Sequence, residues 1–374
     1  RGRADRRPVV SAAHLAPLAT AGRIDRLRTA MAASGTAVLL VTKLVNVRYL
    51  TGFTGSAGMV LVTADDACFV TDGRYTERAG EEIERAGAPV RVEIGASAVN
   101  QRELLRDVAA GAPVALEDHS VTWATQRELA DVFGTVEPAG TPVEELRRTK
   151  DAGEIDRIRR ACAIADETFA EVCELLPSGP TEVEFAIALE RGMRERGASG
   201  NSFDPIVAAG PNGSRPHHTP GNRPIGRGEL VVCDFGCVVD GYSSDMTRTV
   251  ASGDPGPDAR HLYEVVLRSQ AAGVAAVTAG VTCAEVDRAA RDVIVAEGWG
   301  EAFSHSTGHG VGLEIHEAPR VAAAGGDTLR IGDVVTVEPG VYLPGIGGVR
   351  IEDTVVVGGA GCEPLTLTPK VLAR

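Results

Sequence analysis

The first 140 residues alternate between short apolar runs and stretches in which apolar residues recur at helical spacing. Three runs have the length of a buried strand: 36–42 (TAVLLVT), 58–63 (GMVLVT) and 112–117 (APVALE). Residues 74–87 (RYTERAGEEIERAG) instead follow the pattern of a helix. Because alternating strands and helices are typical of a sheet covered by helices, the pattern predicts an α/β domain.

The pattern changes between residues 137 and 154, where proline, glycine and charged residues replace the regular alternation. We interpret this segment as a domain boundary, because a chain of 374 residues is too long for one ordinary hydrophobic core. A long helix is predicted directly after it. One apolar stripe of that helix is formed, at steps of three and four residues, by Ile155, Ile158, Cys162, Ala165, Phe169, Val172 and Leu176.

The first residues of the chain are basic and contain no continuous apolar segment of the kind found in secretory signals. We expect residues 1–20 to form a disordered tail. The sequence therefore predicts this tail, a first domain over residues 21–140 and a second domain over residues 141–374.

The second domain contains an internal repeat, since residues 178–197 (SGPTEVEFAIALERGMRERG) and 279–298 (AGVTCAEVDRAARDVIVAEG) align without a gap at an offset of 101. Each copy has a Thr followed three residues later by a Glu, the capping box that opens helices, and each ends at a glycine. These residues are Thr181, Glu184 and Gly197 in the first copy and Thr282, Glu285 and Gly298 in the second. Matched starts and ends predict two equivalent helices.

An acidic strand follows each of these helices. Residues 228–236 (GELVVCDFG) and 332–340 (GDVVTVEPG) both contain an acid six residues after the first glycine, so Asp234 and Glu338 occupy equivalent positions. The repeat predicts a pseudo-two-fold domain in which both strands face one centre. Two buried carboxylates at that centre would repel each other, which favours a cation between them.

The first acidic strand is predicted to continue into a hairpin. Asp240 and Gly241 form a two-residue turn signal. The resulting register makes Asp245 a diagonal neighbour of Asp234 on one face of the hairpin. For this hairpin alone, a turn aspartate and a surface aspartate are the alternative interpretation.

The second acidic strand begins a longer hairpin over residues 334–357 (VVTVEPGVYLPGIGGVRIEDTVVV). Glu338 lies on one strand and Glu352 on the other, with Arg350 and Asp353 nearby. Four carboxylates from two related hairpins form an oxygen-rich set that suits a pair of divalent ions about 3.5 Å apart with a shared water. A structural zinc site would instead favour Cys and His.

Residues 304–319 (SHSTGHGVGLEIHEAP) add three histidines within a glycine-rich stretch: His305, His309 and His316. Such a density of histidine favours metal or acid–base chemistry, with an ordinary solvated loop as the alternative. One imidazole would give the four carboxylates a nitrogen partner. We expect the glycines on both sides of His309 to let the backbone approach the metals closely.

The composition of the chain limits the classes of binding partner that can be expected. The net charge of −13 argues against nucleic acid, since phosphate contacts need clustered Lys and Arg. No apolar run approaches the roughly 20 residues needed to cross a bilayer, so no membrane partner is expected. Seven cysteines without a CxxC pair predict free thiols in a reducing cytoplasm.

The motifs DFGCVVDGYSSDMTRT, GHGVGLEIHE, TVEPGVY and GVRIEDT resemble those of the metal-dependent peptidases of the pita-bread fold. That group holds methionyl aminopeptidases, aminopeptidase P, prolidase and, without metals, creatinase. The resemblance covers roughly residues 145–360. The segments NVRYLTGFTGS and TDGRYTERA of the first domain are similar to a creatinase-type N-terminal domain, which indicates the Xaa-Pro branch. This resemblance implies an α/β N-terminal domain plus an α+β pita-bread C-terminal domain with an internal pseudo-two-fold repeat.

The resemblance also implies a ligand set for two metal ions. Its members would be Asp234, Asp245, His309, Glu338 and Glu352. Asp245 and Glu352 would bridge both ions, and the water shared by the ions would become the attacking hydroxide. Glu338 would also accept the proton of this water and relay it to the departing proline nitrogen.

Three further residues match functional positions of the resembled family. His316 matches a histidine that contacts the substrate carbonyl region, and His217 matches a second histidine across the pocket. Arg350 matches an arginine that the Xaa-Pro branch has beside the second bridging glutamate, with a plain ion-pair role as the alternative. We interpret His218 as pocket wall and His305 as a loop histidine.

The resemblance implies hydrolysis of the Xaa-Pro bond at the N-terminus of peptides, so the expected partner is a peptide with proline in second position. We favour an Xaa-Pro aminopeptidase over an Xaa-Pro dipeptidase (prolidase). A creatinase-like hydrolase and a non-catalytic binding protein are further alternatives. The expected cofactors are two divalent metal ions, Mn²⁺ first, with Co²⁺ or Zn²⁺ as alternatives. We expect a cytoplasmic homodimer or homotetramer.

Overall fold

A computed structural model describes Leu15, Leu18 and residues 20–372. Apart from Leu15, Leu18 and Thr20, the tail predicted for residues 1–20 lies outside the described residues. The chain divides into two compact units between Arg147 and Arg148. No helix in the described part of the chain is long and apolar enough to span a membrane.

The first unit is built from short strands and helices in alternation. Its helices are α1 (Arg23–Ser34), α2 (Leu44–Thr51), α3 (Thr76–Ala86), α4 (Ala98–Ala109), α5 (Trp123–Phe133) and α6 (Pro142–Arg148), whose last residue already belongs to the second unit. Its strands are β1 (Val38–Val41), β2 (Met59–Val62), β3 (Ala67–Asp72), β4 (Arg91–Gly95), β5 (Val114–Leu116) and β6 (Val136–Pro138). The three strands and the helix predicted from the hydrophobic pattern are thus confirmed.

These strands form one mixed sheet in the order β4-β3-β2-β1-β5-β6. The hairpins β1–β2 and β2–β3 are antiparallel, and the outer pairs are parallel. Apolar residues of the sheet, α4 and α5 form the core, among them Val38, Leu40, Leu61, Val70, Leu105, Leu116 and Leu129. The observed division lies within residues 137–154, the segment interpreted as the boundary. Arg147 Nη1 donates to Asn46 Oδ1 at 2.7 Å and ties α6 to the first unit.

The second unit holds longer helices around several small sheets. Its helices are α7 (Ala152–Val172), α8 (Glu182–Glu195), α9 (Pro257–Ala276) and α10 (Cys283–Ala296). Its first strands are β7 (Gly200–Asn201), β8 (Ile206–Ala209), β9 (Leu230–Phe235), β10 (Cys237–Val239), β11 (Tyr242–Ser243) and β12 (Met246–Ala251). Its later strands are β13 (Gly308–Gly310), β14 (Glu317–Val321), β15 (Val334–Val337), β16 (Gly340–Leu343), β17 (Gly347–Arg350), β18 (Asp353–Gly358) and β19 (Gly361–Pro364).

The two helices predicted from the repeat, α8 and α10, have the same length and the same start. Both contain 14 residues, and both begin with a complete capping box, Thr181 with Glu184 and Thr282 with Glu285. Each helix is followed by a glycine with a positive φ, at Gly197 and Gly298. The prediction of two equivalent helices is confirmed.

The strands after these helices also repeat their arrangement. In the first copy β9 lies between β8 and β12, and in the second β15 lies between β13 and β18, with antiparallel pairing throughout. The hairpin β10–β11 corresponds to the longer hairpin β16–β17. Asp240 and Gly241, with φ of 46° and 82°, form the predicted turn that pairs Val239 with Tyr242.

Candidate active site

Each copy of the repeat has one carboxylate at the end of its first long strand and another just before the long strand that pairs with it. Asp234 is the penultimate residue of β9, and Asp245 directly precedes β12. Glu338 directly follows β15, and Glu352 directly precedes β18. Since β9 pairs antiparallel with β12, and β15 with β18, each pairing brings its two carboxylates to the same end of the strands.

The carboxylates of the two copies meet in one cluster. Asp234, Asp245 and Glu352 each offer an oxygen, and these three oxygens lie within 4.8 Å of one another. His309 Nε2 lies 3.5 Å from Asp245 Oδ2 and 3.3 Å from Glu338 Oε1. Asp245 therefore connects His309 and Glu338 to the group of three carboxylates, and all five side chains form one cluster.

The cluster contains buried oxygens that fit a metal ion. Asp234 Oδ1 and Glu352 Oε1 have no hydrogen-bond partner among the described residues. The other oxygen of Glu352 accepts from Thr247 Oγ1 at 2.8 Å, and that of Asp234 accepts from Arg350 Nη2 at 2.6 Å. A buried carboxylate oxygen without a donor is costly, and such oxygens are the preferred ligands of hard divalent cations. The residues present therefore fit the metals that the sequence implies.

The electrostatics of the cluster also favour a cation. Burial raises the pKa of Asp245 well above its usual range, and the nearby charges of Glu352, Asp234 and Glu338 raise it further. Burial and the charges of Glu338 and Asp234 likewise raise the pKa of Glu352 well above its usual range. The charge of Arg350 opposes both shifts only in part. A divalent ion between these carboxylates would stabilise their ionised form.

Strand contacts fix the orientation of His309. Its backbone N–H donates to Thr336 Oγ1 at 3.1 Å, and its ring Nδ1 donates to Gly310 O at the same distance. Nε2 is therefore directed at the carboxylates of Asp245 and Glu338. Burial would lower the pKa of His309, but the hydrogen bond and the charge of Glu338 outweigh burial and raise it.

The glycines beside His309 are required for the packing of neighbouring strands. A Cβ on Gly308 would lie 2.0 Å from Thr336 O, and a Cβ on Gly310 would lie 2.2 Å from Ala318 O. Both oxygens belong to neighbouring strands, β15 and β14. These glycines therefore allow the strands on both sides of β13 to approach closely, which is a packing requirement.

The cluster opens into a cavity of about 890 Å³, a size that suits a short peptide. Most of the predicted site residues line it, namely His217, Asp234, Asp245, His309, His316, Glu338 and Arg350. His217 and His316 are exposed to the cavity, and the ring centre of His316 lies 4.4 Å from that of His309. Glu352 is buried behind the lining, with only 1% of its surface exposed.

Comparison with known proteins places this site in a family. Residues 156–358, more than half of the chain, match the model described as metallopeptidase family M24. The chain belongs to this family. Residues 23–149 match the creatinase/prolidase N-terminal domain. This M24 member is therefore an enzyme, a hydrolase of the metalloprotease class.

Several relatives of this M24 peptidase align with it over nearly its whole length. The uncharacterized peptidase YqhT of Bacillus subtilis (strain 168) is 40% identical over 352 residues, which cover 94% of this chain and 99% of YqhT. The solved Xaa-Pro dipeptidase from Bacillus anthracis has a TM-score of 0.90 and 38% identity, covering 94% of this chain and 98% of that one. The solved X-Pro aminopeptidase from Thermotoga maritima MSB8 has a TM-score of 0.84 and 33% identity, covering 92% and 100%. These likenesses confirm the predicted fold class, an α/β N-terminal domain plus a pita-bread C-terminal domain.

A chain of hydrogen bonds in the M24 peptidase connects His305 to the carboxylate cluster. Tyr342 Oη lies 2.9 Å from His305 Nε2 and accepts from Arg350 Nη1 at 2.6 Å, while Arg350 Nη2 donates to Asp234. His305 Nδ1 donates to Ser306 O at 2.8 Å, so Nε2 accepts a hydrogen bond from the Tyr342 hydroxyl. His305 lies in a loop, as predicted, and its ring also lines the cavity and takes part in these hydrogen bonds. The ion pair considered for Arg350 is confirmed by its contact with Asp234.

Sequence reasoning missed Tyr342, although the hairpin contains a signal for it. Gly340 pairs with Arg350 across β16–β17, which makes Tyr342 a diagonal neighbour of Arg350 on one face. Burial raises the pKa of Tyr342 to about 12, so its hydroxyl stays protonated at neutral pH. A register drawn for the second hairpin, as for the first, would have placed this residue beside the site.

Proposed function

We propose that this M24 peptidase uses two divalent metal ions to hydrolyse the bond between the first residue of a peptide and a proline in second position. The observation that supports the proposal is the cluster of Asp234, Asp245, His309, Glu338 and Glu352, with buried carboxylate oxygens that lack protein donors. Mn²⁺ is the first candidate metal, with Co²⁺ and Zn²⁺ as alternatives, because the donor set is rich in oxygen and has one imidazole. Bound divalent ions would lower the pKa of a water molecule and polarise the scissile carbonyl.

We assign the proton transfer to Glu338. Burial would raise the pKa of Glu338, but the hydrogen bond and charge of His309 lower it below the usual value, so the carboxylate is ionised. Its Oε1 accepts from Thr336 Oγ1 at 3.0 Å, which fixes its position beside the cavity. Glu338 would accept a proton from the attacking water and return it to the departing proline nitrogen.

His217 and His316 are placed to act on the substrate and not on the metals. Both rings are exposed in the cavity wall. Burial and the nearby charge of His309 lower the pKa of His316, so its ring is neutral and can donate one hydrogen bond. We propose that these histidines donate to the carbonyl oxygen on which negative charge develops during attack.

The cavity also offers apolar surface for a proline ring. Phe203, Pro205 and Ile315 line it together with the polar residues. An Xaa-Pro bond has no N–H, and proline restricts the conformation of the residue before it. An apolar wall that packs against the ring would select such substrates without needing an amide donor.

Metal analysis tests the proposal. Protein reconstituted with saturating Mn²⁺ or Co²⁺ is expected to contain about two ions per chain, because the five proposed ligands form one cluster connected through Asp245. Exhaustive chelation should abolish hydrolysis of an Xaa-Pro substrate, and added metal should restore it. Full activity of the chelated protein would contradict the proposal.

An Xaa-Pro dipeptidase is the second candidate, and Arg320 is the observation that favours it. Arg320 lies in β14, opposite His309, and lines the cavity. Its guanidinium makes no hydrogen bond or ion pair with any residue that the structure describes. A free cation beside the cluster could bind the carboxylate that a dipeptide carries directly on its proline. The sequence favoured the aminopeptidase, and Arg320 provides the means to test the choice.

Replacing Arg320 by methionine is expected to separate the two candidates. If Arg320 binds the proline carboxylate, Arg320→Met should lower kcat/KM for an Xaa-Pro dipeptide by about 10- to 100-fold, the value of one charge-assisted hydrogen bond. The amidated dipeptide, which lacks the carboxylate, should be unaffected by the change. Arg288→Met, at an exposed position of α10, is the matched control. Equal cleavage of dipeptides and longer peptides, with no effect of Arg320→Met, would instead support the aminopeptidase.

A further inference from the structure

One buried carboxylate of the second unit lies outside the metal cluster and organises a loop of the cavity. Glu182, the first residue of α8, is fully buried. Its Oε1 accepts from Ala209 N and Asn212 Nδ2, both at 2.9 Å. Its Oε2 accepts from His218 Nε2 at 2.8 Å and from Gly221 N at 3.2 Å. A single side chain thus binds the start, middle and end of the segment 209–221.

That segment carries His217 into the cavity, and both neighbours of His217 are anchored. On one side Arg350 Nη1 donates to Pro216 O at 3.3 Å. On the other side the ring of His218 is bound to Glu182. His217 therefore lies between one anchor that belongs to the metal cluster and one that does not. The position of its ring depends on both.

The internal repeat shows that the helix itself does not require Glu182. At the offset of 101 the equivalent residue is Cys283, the first residue of α10. The two helices share their length and their capping box, so a cysteine serves as well as a glutamate for starting the helix. The carboxylate is therefore specific to the copy whose following loop carries His217.

Glu182 has no capacity left for a metal or a substrate. Both oxygens are occupied by donors from the loop, and the side chain does not line the cavity. Burial would raise the pKa of Glu182, but hydrogen bonds from Ala209, Asn212 and His218 outweigh burial and lower it. The carboxylate is thus ionised at neutral pH and acts as a fixed acceptor.

We infer that Glu182 is a positioning residue that acts through His218 to hold His217 against the substrate. The inference rests on the proposed function, because it needs His217 to contact the substrate during catalysis. It adds that the first copy of the repeat has an ionised anchor where the second copy has a cysteine at the helix start. A loop without this anchor would leave the metals in place and misplace only the histidine.

Amide hydrogen exchange of metal-free protein tests the anchor without any assay of activity. In Glu182→Gln, an amide NH₂ replaces one acceptor oxygen and faces donors from the loop. Amides of residues 209–221 should then exchange about tenfold faster or more. Glu184→Gln is the control, since it changes the exposed capping residue of the same helix and glutamine still completes a capping box. Unchanged exchange of the loop in Glu182→Gln would overturn the inference.

A double-mutant cycle tests the action through His217. With saturating metal, Glu182→Gln should lower kcat about 10- to 100-fold with KM changed less than threefold, since small misplacements of a positioned group have effects of this order. In the His217→Ala background the same substitution should have almost no further effect on kcat. An equal loss in both backgrounds would overturn the inference, because it would indicate a general structural role.

A milder variant, His218→Ala, tests the same inference if Glu182→Gln does not fold. His218→Ala removes one donor and leaves Glu182 with Ala209, Asn212 and Gly221. It should show the same non-additivity with His217→Ala and an unchanged metal content. If the wild-type protein hydrolyses no Xaa-Pro substrate, the proposed function fails, and the exchange experiment still decides whether Glu182 orders the loop.

Discussion

Glu352→Gln is expected to lower kcat/KM for an Xaa-Pro substrate by about 10³-fold or more and to remove most of the bound metal. Glu352 Oε1 is buried without a donor among the described residues, and glutamine would present either a neutral oxygen or an N–H there. Polarisation by metal ions is worth several kcal/mol of transition-state stabilisation, and each 1.4 kcal/mol is tenfold in rate. Steady-state kinetics and metal analysis of the purified variant measure both effects.

In metal-free protein the same substitution should instead reduce the stability that is lost as pH rises. The folded-state pKa values of Asp245 and Glu352 are raised by burial and by the facing carboxylates of Asp234 and Glu338, with Arg350 opposing in part. A carboxyl with a raised pKa binds more protons when folded, so its stabilising contribution is present at low pH. That contribution is lost as pH rises from the unfolded value near 4 through the folded value. Metal-free Glu352→Gln lacks one of these charges and should lose less stability than wild type as pH rises above the unfolded value near 4.

Thermal unfolding with and without metal separates the two effects. Wild type should gain stability on adding Mn²⁺, whereas Glu352→Gln should gain little. Glu301→Gln, at an exposed position, is the control and should behave as wild type in both conditions. If Glu352→Gln retained two ions per chain and near-normal turnover, Glu352 would not be a ligand.

The sequence alone predicted the repeat and the positions of the carboxylates, because both depend on local patterns. Capping boxes and helix ends are set by residues three or four positions apart, and the Asp240-Gly241 turn fixes the register of its hairpin. Once that register is known, Asp245 must lie diagonal to Asp234. The fold class followed from the same patterns and from the resemblance.

Contacts between distant segments were the part that sequence reasoning missed. Glycine is required at positions 308 and 310 because the backbone there approaches Thr336 and Ala318 closely, and no local sequence pattern reveals these contacts. The Glu182 carboxylate and its loop donors lie up to 39 residues apart. Partner residues at such separations become visible only when the strands are assembled. The homodimer or homotetramer and the cytoplasmic location stay predictions.

His217→Ala and His316→Ala are each expected to keep the metals and to lose about 10²–10³ in kcat. Neither ring belongs to the cluster of the five proposed ligands, and both are exposed in the cavity wall. Loss of one donor aimed at a developing oxyanion has an effect of this size. Because the donor acts mainly in the transition state, kcat should fall more than KM rises.

The decisive comparison is with His309→Ala, which should lose metal and activity together because His309 Nε2 lies within 3.5 Å of both Asp245 and Glu338. His119→Ala, whose side chain is 70% exposed in the first unit, controls for loss of a histidine as such. Metal content measured beside kcat then sorts the histidines into two classes. If His217→Ala or His316→Ala stripped the metals while His309→Ala retained them, the assignment of metal ligand and substrate contact would be reversed. The ring centres of His316 and His309 lie only 4.4 Å apart, so the comparison distinguishes a metal ligand from a substrate contact between two neighbouring side chains.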